Sequence, residues 1–92
     1  MKEIRVVVSG RVQGVGYRYF VRDAALRRNI RGWVKNNPDG TVSIVAAGDS
    51  DTLEQFLEDI RAEGDPLIRI ADISLTWSGE VTETWQGFEI RR

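Results

Sequence analysis

The order in which β-type and helical apolar patterns follow one another is the strongest constraint on the fold of this 92-residue chain. Residues 4–9 are short, β-branched and almost wholly apolar, which predicts a central strand. In residues 17–28 apolar side chains recur at helical spacing, and Asn29 stands where a left-handed cap would end that helix. RGWVKN and TVSIVAAG then predict two strands, joined by the tight-turn sequence NPDG.

The second half of the chain adds another helix and another strand. Asp51 and Glu54 have the spacing of a capping box, and we expect Gly64 and Pro66 to end the helix that follows. The apolar stripe of that helix consists of Leu53, Phe56, Leu57 and Ile60. LIRIADISLTW predicts a strand, and GFEI predicts a short extra one.

The resulting order, βαββαβ plus a tail strand, predicts an α+β, ferredoxin-like sandwich in a single domain, 1–92. This is an antiparallel sheet with two helices on one face and a short extra C-terminal strand. Its first and second strands run in the same direction, with the third between them. We therefore expect the residues after Ser9 and those at Asn36 to lie at one edge of the sheet, ~10 Å apart.

Composition excludes several classes of function. The chain has no cysteine and no histidine, which removes thiolate chemistry and the usual general base. Its net charge of -1 gives no reason to expect nucleic acid as a partner. The start, MKEIRVVVSG, is too short an apolar run for a signal peptide, and no later segment reaches the length of a membrane span. We expect a cytoplasmic monomer with no membrane partner.

A glycine-rich join connects the first predicted strand to the first predicted helix. The stretch SGRVQGVGYR contains Gly10, Gly14 and Gly16, although such a connection needs only one or two flexible residues. One interpretation is an ordinary turn with a solvated arginine. In the other, glycines let successive N–H groups curve around an anion at the helix N-terminus, and Arg18 in the first turn forks two N–H bonds onto it.

The chemistry open to such a site is limited. The pattern G-x-x-x-G-x-G is neither the dinucleotide fingerprint nor the Walker loop, and no acidic residue stands nearby to hold a metal. We therefore expect no cofactor and no metal, only a site for one small phosphate. Without a nucleophilic side chain, it could hydrolyse only a phosphoryl group that already has a good leaving group.

Asn36 is the second candidate site residue. A turn role is the alternative for it, as it is the preferred interpretation for residues 37–40. By strand parity Asn36 shares a face with Val34, not with Trp33 or Lys35. If Val34 faces the helices, Asn36 points toward the glycine-rich join, where an uncharged amide can hold a water without repelling an anion.

GRVQGVGYR followed by GWVKNNPDG resembles the signature pair of the acylphosphatases, small hydrolases that cleave carboxyl-phosphate anhydrides. The resemblance covers essentially the whole chain. It implies that Arg18 binds the phosphate and that Asn36 orients the attacking water. It also implies that loop amides assist the arginine. These amides belong to the cradle loop, which consists of Gln13, Gly14, Val15, Gly16 and Tyr17.

The implied reaction converts an acyl phosphate and water into a carboxylate and inorganic phosphate, with phosphate as a product inhibitor. Tyr17 stands where phenylalanine is common in the family, and we expect it to alter substrate access. One alternative is a regulatory module on the same fold that binds a small anion without turnover. An RNA-recognition domain is disfavoured because the predicted central strands lack aromatic residues. Trp77 and Trp85 are interpreted as packing or edge cover.

Overall fold

The computed structural model describes residues 1–78 and 86–91, and the order of elements within them is the predicted one. The strands are β1 (Lys2–Arg11), β2 (Arg31–Asn36), β3 (Val42–Gly48), β4 (Arg69–Ser78) and β5 (Phe88–Arg91). The helices are α1 (Tyr17–Arg27) and α2 (Ser50–Asp59).

The strands form one sheet in the order β4-β1-β3-β2-β5. The pairs β1–β3, β1–β4 and β2–β3 are antiparallel, as the sequence predicts. The extra strand β5 instead runs parallel to β2, which makes the five-stranded sheet mixed. β1 and β2 flank β3 and run in the same direction, so their C-terminal ends lie at one edge of the sheet.

The core lies between the helices and one face of the sheet. Alternate residues of β1 (Ile4, Val6 and Val8) are buried, whereas Val7 between them is exposed. These side chains belong to the same buried cluster as Val21 of α1 and Phe56 of α2. Both predicted apolar stripes therefore face the sheet, which confirms the two-layer sandwich.

The helix ends agree with the sequence at α1 and disagree at α2. Asn29 has φ 55 and lies just beyond α1, where Ile30 N donates to Ala25 O at 2.9 Å, as expected for a left-handed cap. The predicted capping box was wrong. The N-cap of α2 is Asp49, whose side chain makes no cap hydrogen bond, and Asp51 lies inside the first turn. There its charge meets the positive end of the helix dipole.

The second helix also ends earlier than predicted, at Asp59 rather than near Gly64 and Pro66. Two contacts connect this end of α2 to α1. Arg28 Nε lies 2.5 Å from Asp59 Oδ2, and the buried Tyr17 hydroxyl donates to Ile60 O at 2.7 Å. The contacts fix α1 at both of its ends, which matters because the N-terminal end begins at the cradle loop.

β1 contains a bulge at Gly10, after which its last two residues still pair with β4. The β1–β4 register shifts between Ser9 and Gly10, because Ser9 pairs with Asp72 and Gly10 with Ile70. A Cβ on Gly10 would stand 2.2 Å from Arg69 O, so only glycine allows β4 this close at that point. One of the surplus glycines is thus explained by strand packing and not by an anion.

Two tryptophans, Trp77 and Trp85, are interpreted from the sequence as packing or edge cover. Trp77 lies on the edge strand β4, opposite Ile4 of β1, and its side chain is 41% exposed. That position agrees with edge cover. Trp85 lies outside the described residues.

Candidate active site

The cradle loop connects β1 to α1 in a backbone conformation that two glycines make possible. Gly14 has φ 74 and Gly16 has φ 79, both left-handed. Gly16 is also the N-cap of α1, and it supplies no side chain to cap the first amides. Just before the loop, Val12 is 1% exposed and anchors it in the core.

The amides at the start of α1 are available to a ligand. A helix leaves its first N–H groups without intrahelical partners, and Phe20 N, which bonds Gly16 O at 3.1 Å, is past this stretch. Among the described residues, no backbone bond is donated by the amides of residues 14–18. The first turn also has no acidic residue. Unpaired N–H groups and the positive dipole end together favour an anion here.

Arg18 extends from the first turn of α1 toward the end of β5. Its Nη1 donates to Arg91 O at 3.4 Å, which is long for such a bond and leaves the other guanidinium donors for a ligand. In the β2–β5 register Arg91 pairs with Lys35, the residue before Asn36. The contact therefore places the guanidinium beside the end of β2.

Asn36 lies in a row of side chains that begins under α1. Val42 of β3 pairs with Val8 on one side and with Asn36 on the other, so the three side chains share a face of the sheet. Val8 and Val42 are fully buried in the core below the helices. Val34, two residues earlier on β2, is buried in the same cluster. The parity interpretation is thus confirmed, and Asn36 points to the helix side, where the cradle loop begins.

The Asn36 side chain has an unused acceptor. Its Oδ1 is buried and makes no hydrogen bond with the described residues. Native proteins seldom leave a buried polar atom unpaired, because desolvation without a bond costs about 1–3 kcal/mol. Such an oxygen is suited to accept a hydrogen bond from a water.

Gln13 makes a contact that the sequence does not reveal. Its Nε2 donates to Asn37 O at 2.7 Å and to Thr41 O at 2.9 Å, across the turn between β2 and β3. Both side-chain donors are thereby occupied, so Gln13 offers an anion only its backbone amide. These bonds and the contact between Arg18 and Arg91 join residues far apart in the chain. No local pattern indicates either of them.

The arginines before and within α1 differ in whether a carboxylate of the protein already pairs with them. Arg5 pairs with the buried Glu3 at 3.4 Å. Arg22 lies 3.5 Å from Asp23 and stacks over the Tyr19 ring at 5.2 Å. In the part of the chain that the structure describes, Arg18 has no carboxylate partner. The guanidinium of Arg18 is therefore not neutralised by a carboxylate of the described residues.

Tyr17 does not have the role expected of its side chain. The side chain is 1% exposed, it packs in the core, and its hydroxyl bonds Ile60 O. Burial raises the pKa of the Tyr17 phenol above its ordinary value. The expected effect on substrate access was wrong, because the ring is buried in the core and cannot contact a substrate. Only the backbone amide belongs to the cradle loop.

Other features of the surface lie elsewhere. A crevice of about 480 Å³ runs between residues 61–65 and 68–73 and includes no cradle-loop residue. Within residues 1–78 and 86–91, histidine, cysteine and carboxylate side chains do not gather in groups of three that could hold a metal ion. Neither α1 nor α2 is long and apolar enough to cross a membrane.

Comparison with known proteins identifies the family of the chain. Residues 4–90 match the family model of the acylphosphatases. The chain is 47% identical over 78 residues to an acylphosphatase of Bacillus subtilis, covering 85% of each chain. It is 43% identical over 89 residues to one of Bacillus licheniformis, covering 97% of this chain and 93% of the relative.

Comparison of the backbone with solved structures also finds an acylphosphatase. The crystal structure of acylphosphatase from Bacillus subtilis superposes with a TM-score of 0.94 at 43% identity, over 100% of both chains. Since sequence and backbone match over almost the whole length, this chain belongs to the acylphosphatase family and is a hydrolase of acyl phosphates.

Proposed function

We propose that the chain hydrolyses acyl phosphates at the cradle loop, where Arg18 and the amides of residues 13–17 bind the phosphoryl group. In this proposal Asn36 orients the attacking water. The observation that supports it most is the row Val8, Val42 and Asn36. It gives Asn36, on the helix side of the sheet, a buried amide oxygen that has no hydrogen-bond partner among the described residues.

Binding of the phosphoryl group would combine two kinds of donor. The loop amides surround one group of oxygens at the helix N-terminus. The planar guanidinium of Arg18 forms two parallel bonds with others, which a lysine cannot reproduce. The loop amides are held by the backbone before the substrate arrives, so they can stabilise charge on the transferring group with little reorganisation.

The reaction itself depends mainly on how the water and the phosphoryl group are positioned. A water held by Asn36 attacks phosphorus, and the bond from phosphorus to the carboxylate oxygen breaks. The carboxylate leaves with the electron pair, and the proton of the water passes to a phosphate oxygen. A carboxylate is a good leaving group, so the step does not require a general acid, and the chain contains no histidine to supply one.

Two further properties follow from this arrangement. Inorganic phosphate would occupy the same donors as the substrate, so we expect it to be a competitive product inhibitor. All of the residues named come from one chain, so the site would be complete in a monomer.

Substitution of Arg18 tests the proposal. We expect Arg18→Lys and Arg18→Ala to lower kcat/KM for benzoyl phosphate by about 100-fold or more, because the two parallel bonds are lost. Arg11→Ala, at an exposed arginine of the same segment, is the matched control and should retain activity. Millimolar phosphate should raise the Tm of the wild type and of Arg11→Ala but not that of Arg18→Ala.

Two results would contradict the proposal. Near-wild-type activity of Arg18→Lys would show that the two-bond contact is not required. Phosphate binding by the wild type without any turnover of acyl phosphates would favour the regulatory, anion-binding module instead.

A further inference from the structure

Gln13 connects the two halves of the site through its side chain. It is a cradle-loop residue, and both of its hydrogen bonds end on carbonyl oxygens of the β2–β3 turn, 24 and 28 residues away. One of those carbonyls belongs to Asn37, the residue next to Asn36. Within the described residues, these two bonds are the side-chain hydrogen bonds that join the cradle loop to that turn.

The turn that receives these bonds has several hydrogen bonds of its own. Asn37 N donates to Thr41 O at 2.8 Å, and Asn37 Nδ2 donates to Thr41 Oγ1 at 2.9 Å and to Ser43 Oγ at 2.7 Å. Asp39 Oδ1 accepts from Thr41 N at 3.0 Å and from Thr41 Oγ1 at 2.6 Å. Because these bonds hold the shape of the turn, the contacts from Gln13 fix the whole turn relative to the cradle loop, and Asn36 lies directly before that turn.

We propose that Gln13 is a positioning residue for the hydrolysis, whose side-chain amide sets the distance between the cradle loop and Asn36. This rests on the roles proposed above for the cradle loop and Asn36. In that proposal the cradle loop positions the phosphoryl group, and Asn36 positions the water. In-line attack tolerates little error in their separation, and displacement by about 1 Å can lower a rate by about 100-fold.

Gln13→Met tests the role, because methionine is similar in size but has no donor. We expect kcat for benzoyl phosphate to fall by about 10- to 100-fold. The inhibition constant of inorganic phosphate should stay within about threefold, because the loop amides and Arg18 remain. Gln55→Met is the matched control, since this exposed glutamine of α2 bonds Arg28 and not the cradle loop or the β2–β3 turn, and it should leave kcat unchanged.

A double-mutant cycle separates positioning from simple support of the fold. If Gln13 acts through Asn36, Gln13→Met should change kcat by less than about twofold once Asn36 is already alanine. Equal losses in both backgrounds, or a loss confined to phosphate affinity, would overturn the role of Gln13. Wild-type kcat in Asn36→Ala alone would instead contradict the proposed role of Asn36 itself.

Gln13→Glu provides an independent measurement if the methionine variant does not fold. An ionised glutamate has no donor and faces two carbonyl oxygens, whereas a protonated one can donate to one of them. We expect its kcat to rise, relative to the wild type, as the pH falls from 8 toward 5. A ratio of variant to wild-type kcat that is constant over this range would overturn the proposal.

Discussion

Tyr17 illustrates how one residue can belong to two parts of the molecule. Its amide lies in the cradle loop, while its side chain is buried and bonds Ile60 O at the end of α2. In the sequence Tyr17 is the first of the apolar residues that recur at helical spacing in residues 17–28. The position of the residue in the family motif suggested a role in substrate access, and the structure shows that the apolar pattern was the better guide to the side chain.

The Tyr17 phenol makes stability depend on pH in the alkaline range. A free phenol ionises near pH 10, whereas burial raises the pKa of Tyr17 in the folded state. Above pH 10 the folded chain therefore keeps a proton that the unfolded chain releases. The contribution to the free energy of unfolding is complete below pH 10 and decreases as the pH rises toward the folded-state pKa.

Tyr17→Phe tests this account by urea unfolding at pH 7 and pH 10.5. At pH 7 the variant should lose about 1–2 kcal/mol, because Ile60 O loses its donor. At pH 10.5 the difference from the wild type should be smaller, since phenylalanine has no proton to lose. Tyr19→Phe, at a tyrosine that is 53% exposed, is the control and should show neither effect. A difference that grows with pH would contradict the burial argument.

At the scale of elements, the end of β1 determines where the cradle loop starts. The bulge at Gly10 shifts the register of the last β1 residues against β4, and it depends on the close approach of β4. Gly10→Ala should therefore destabilise the fold in two ways. Its φ of 124 is unfavourable for alanine, and its Cβ would collide with the backbone at Arg69 O, 2.2 Å away.

Gly64→Ala is the matched control for Gly10→Ala, because Gly64 has φ 84 and no atom within 4 Å of the added Cβ. The control should lose about 1–2 kcal/mol from backbone strain alone. Gly10→Ala should lose clearly more in urea unfolding, since β4 must move. Equal losses would mean that the bulge adjusts and that strand packing does not require glycine there.

The elements themselves were largely predictable from the sequence. β2 has its predicted bounds, and α1 differs by one residue, because apolar spacing and turn signals are local properties. The N-terminus of α2 was not predicted, because Asp49 and Asp51 are both plausible caps and their side-chain bonds depend on the folded loop. The parallel pairing of β5 with β2 was also missed, since strand order at an edge is a long-range property.

At the scale of the whole molecule, topology assembles the site. β1 and β2 end at the same sheet edge because β3 lies between them, and this much followed from the order of elements. Strand parity also predicted that the Asn36 side chain shares a face of the sheet with Val34. The contacts of Gln13 with the β2–β3 turn and of Arg18 with Arg91 could not be predicted, because each joins elements that only the folded sheet brings together.

The most direct test of the account is the steady-state kinetics of Asn36→Ala on benzoyl phosphate, measured together with the inhibition constant of inorganic phosphate. We expect kcat to fall by about 100-fold or more, while the inhibition constant stays within about threefold, because the amide holds water and not the anion. Asn36→Asp should restore no activity, since a carboxylate would face an anionic substrate. Parallel losses of kcat and phosphate affinity, or an unchanged kcat, would contradict the assignment of the water to Asn36.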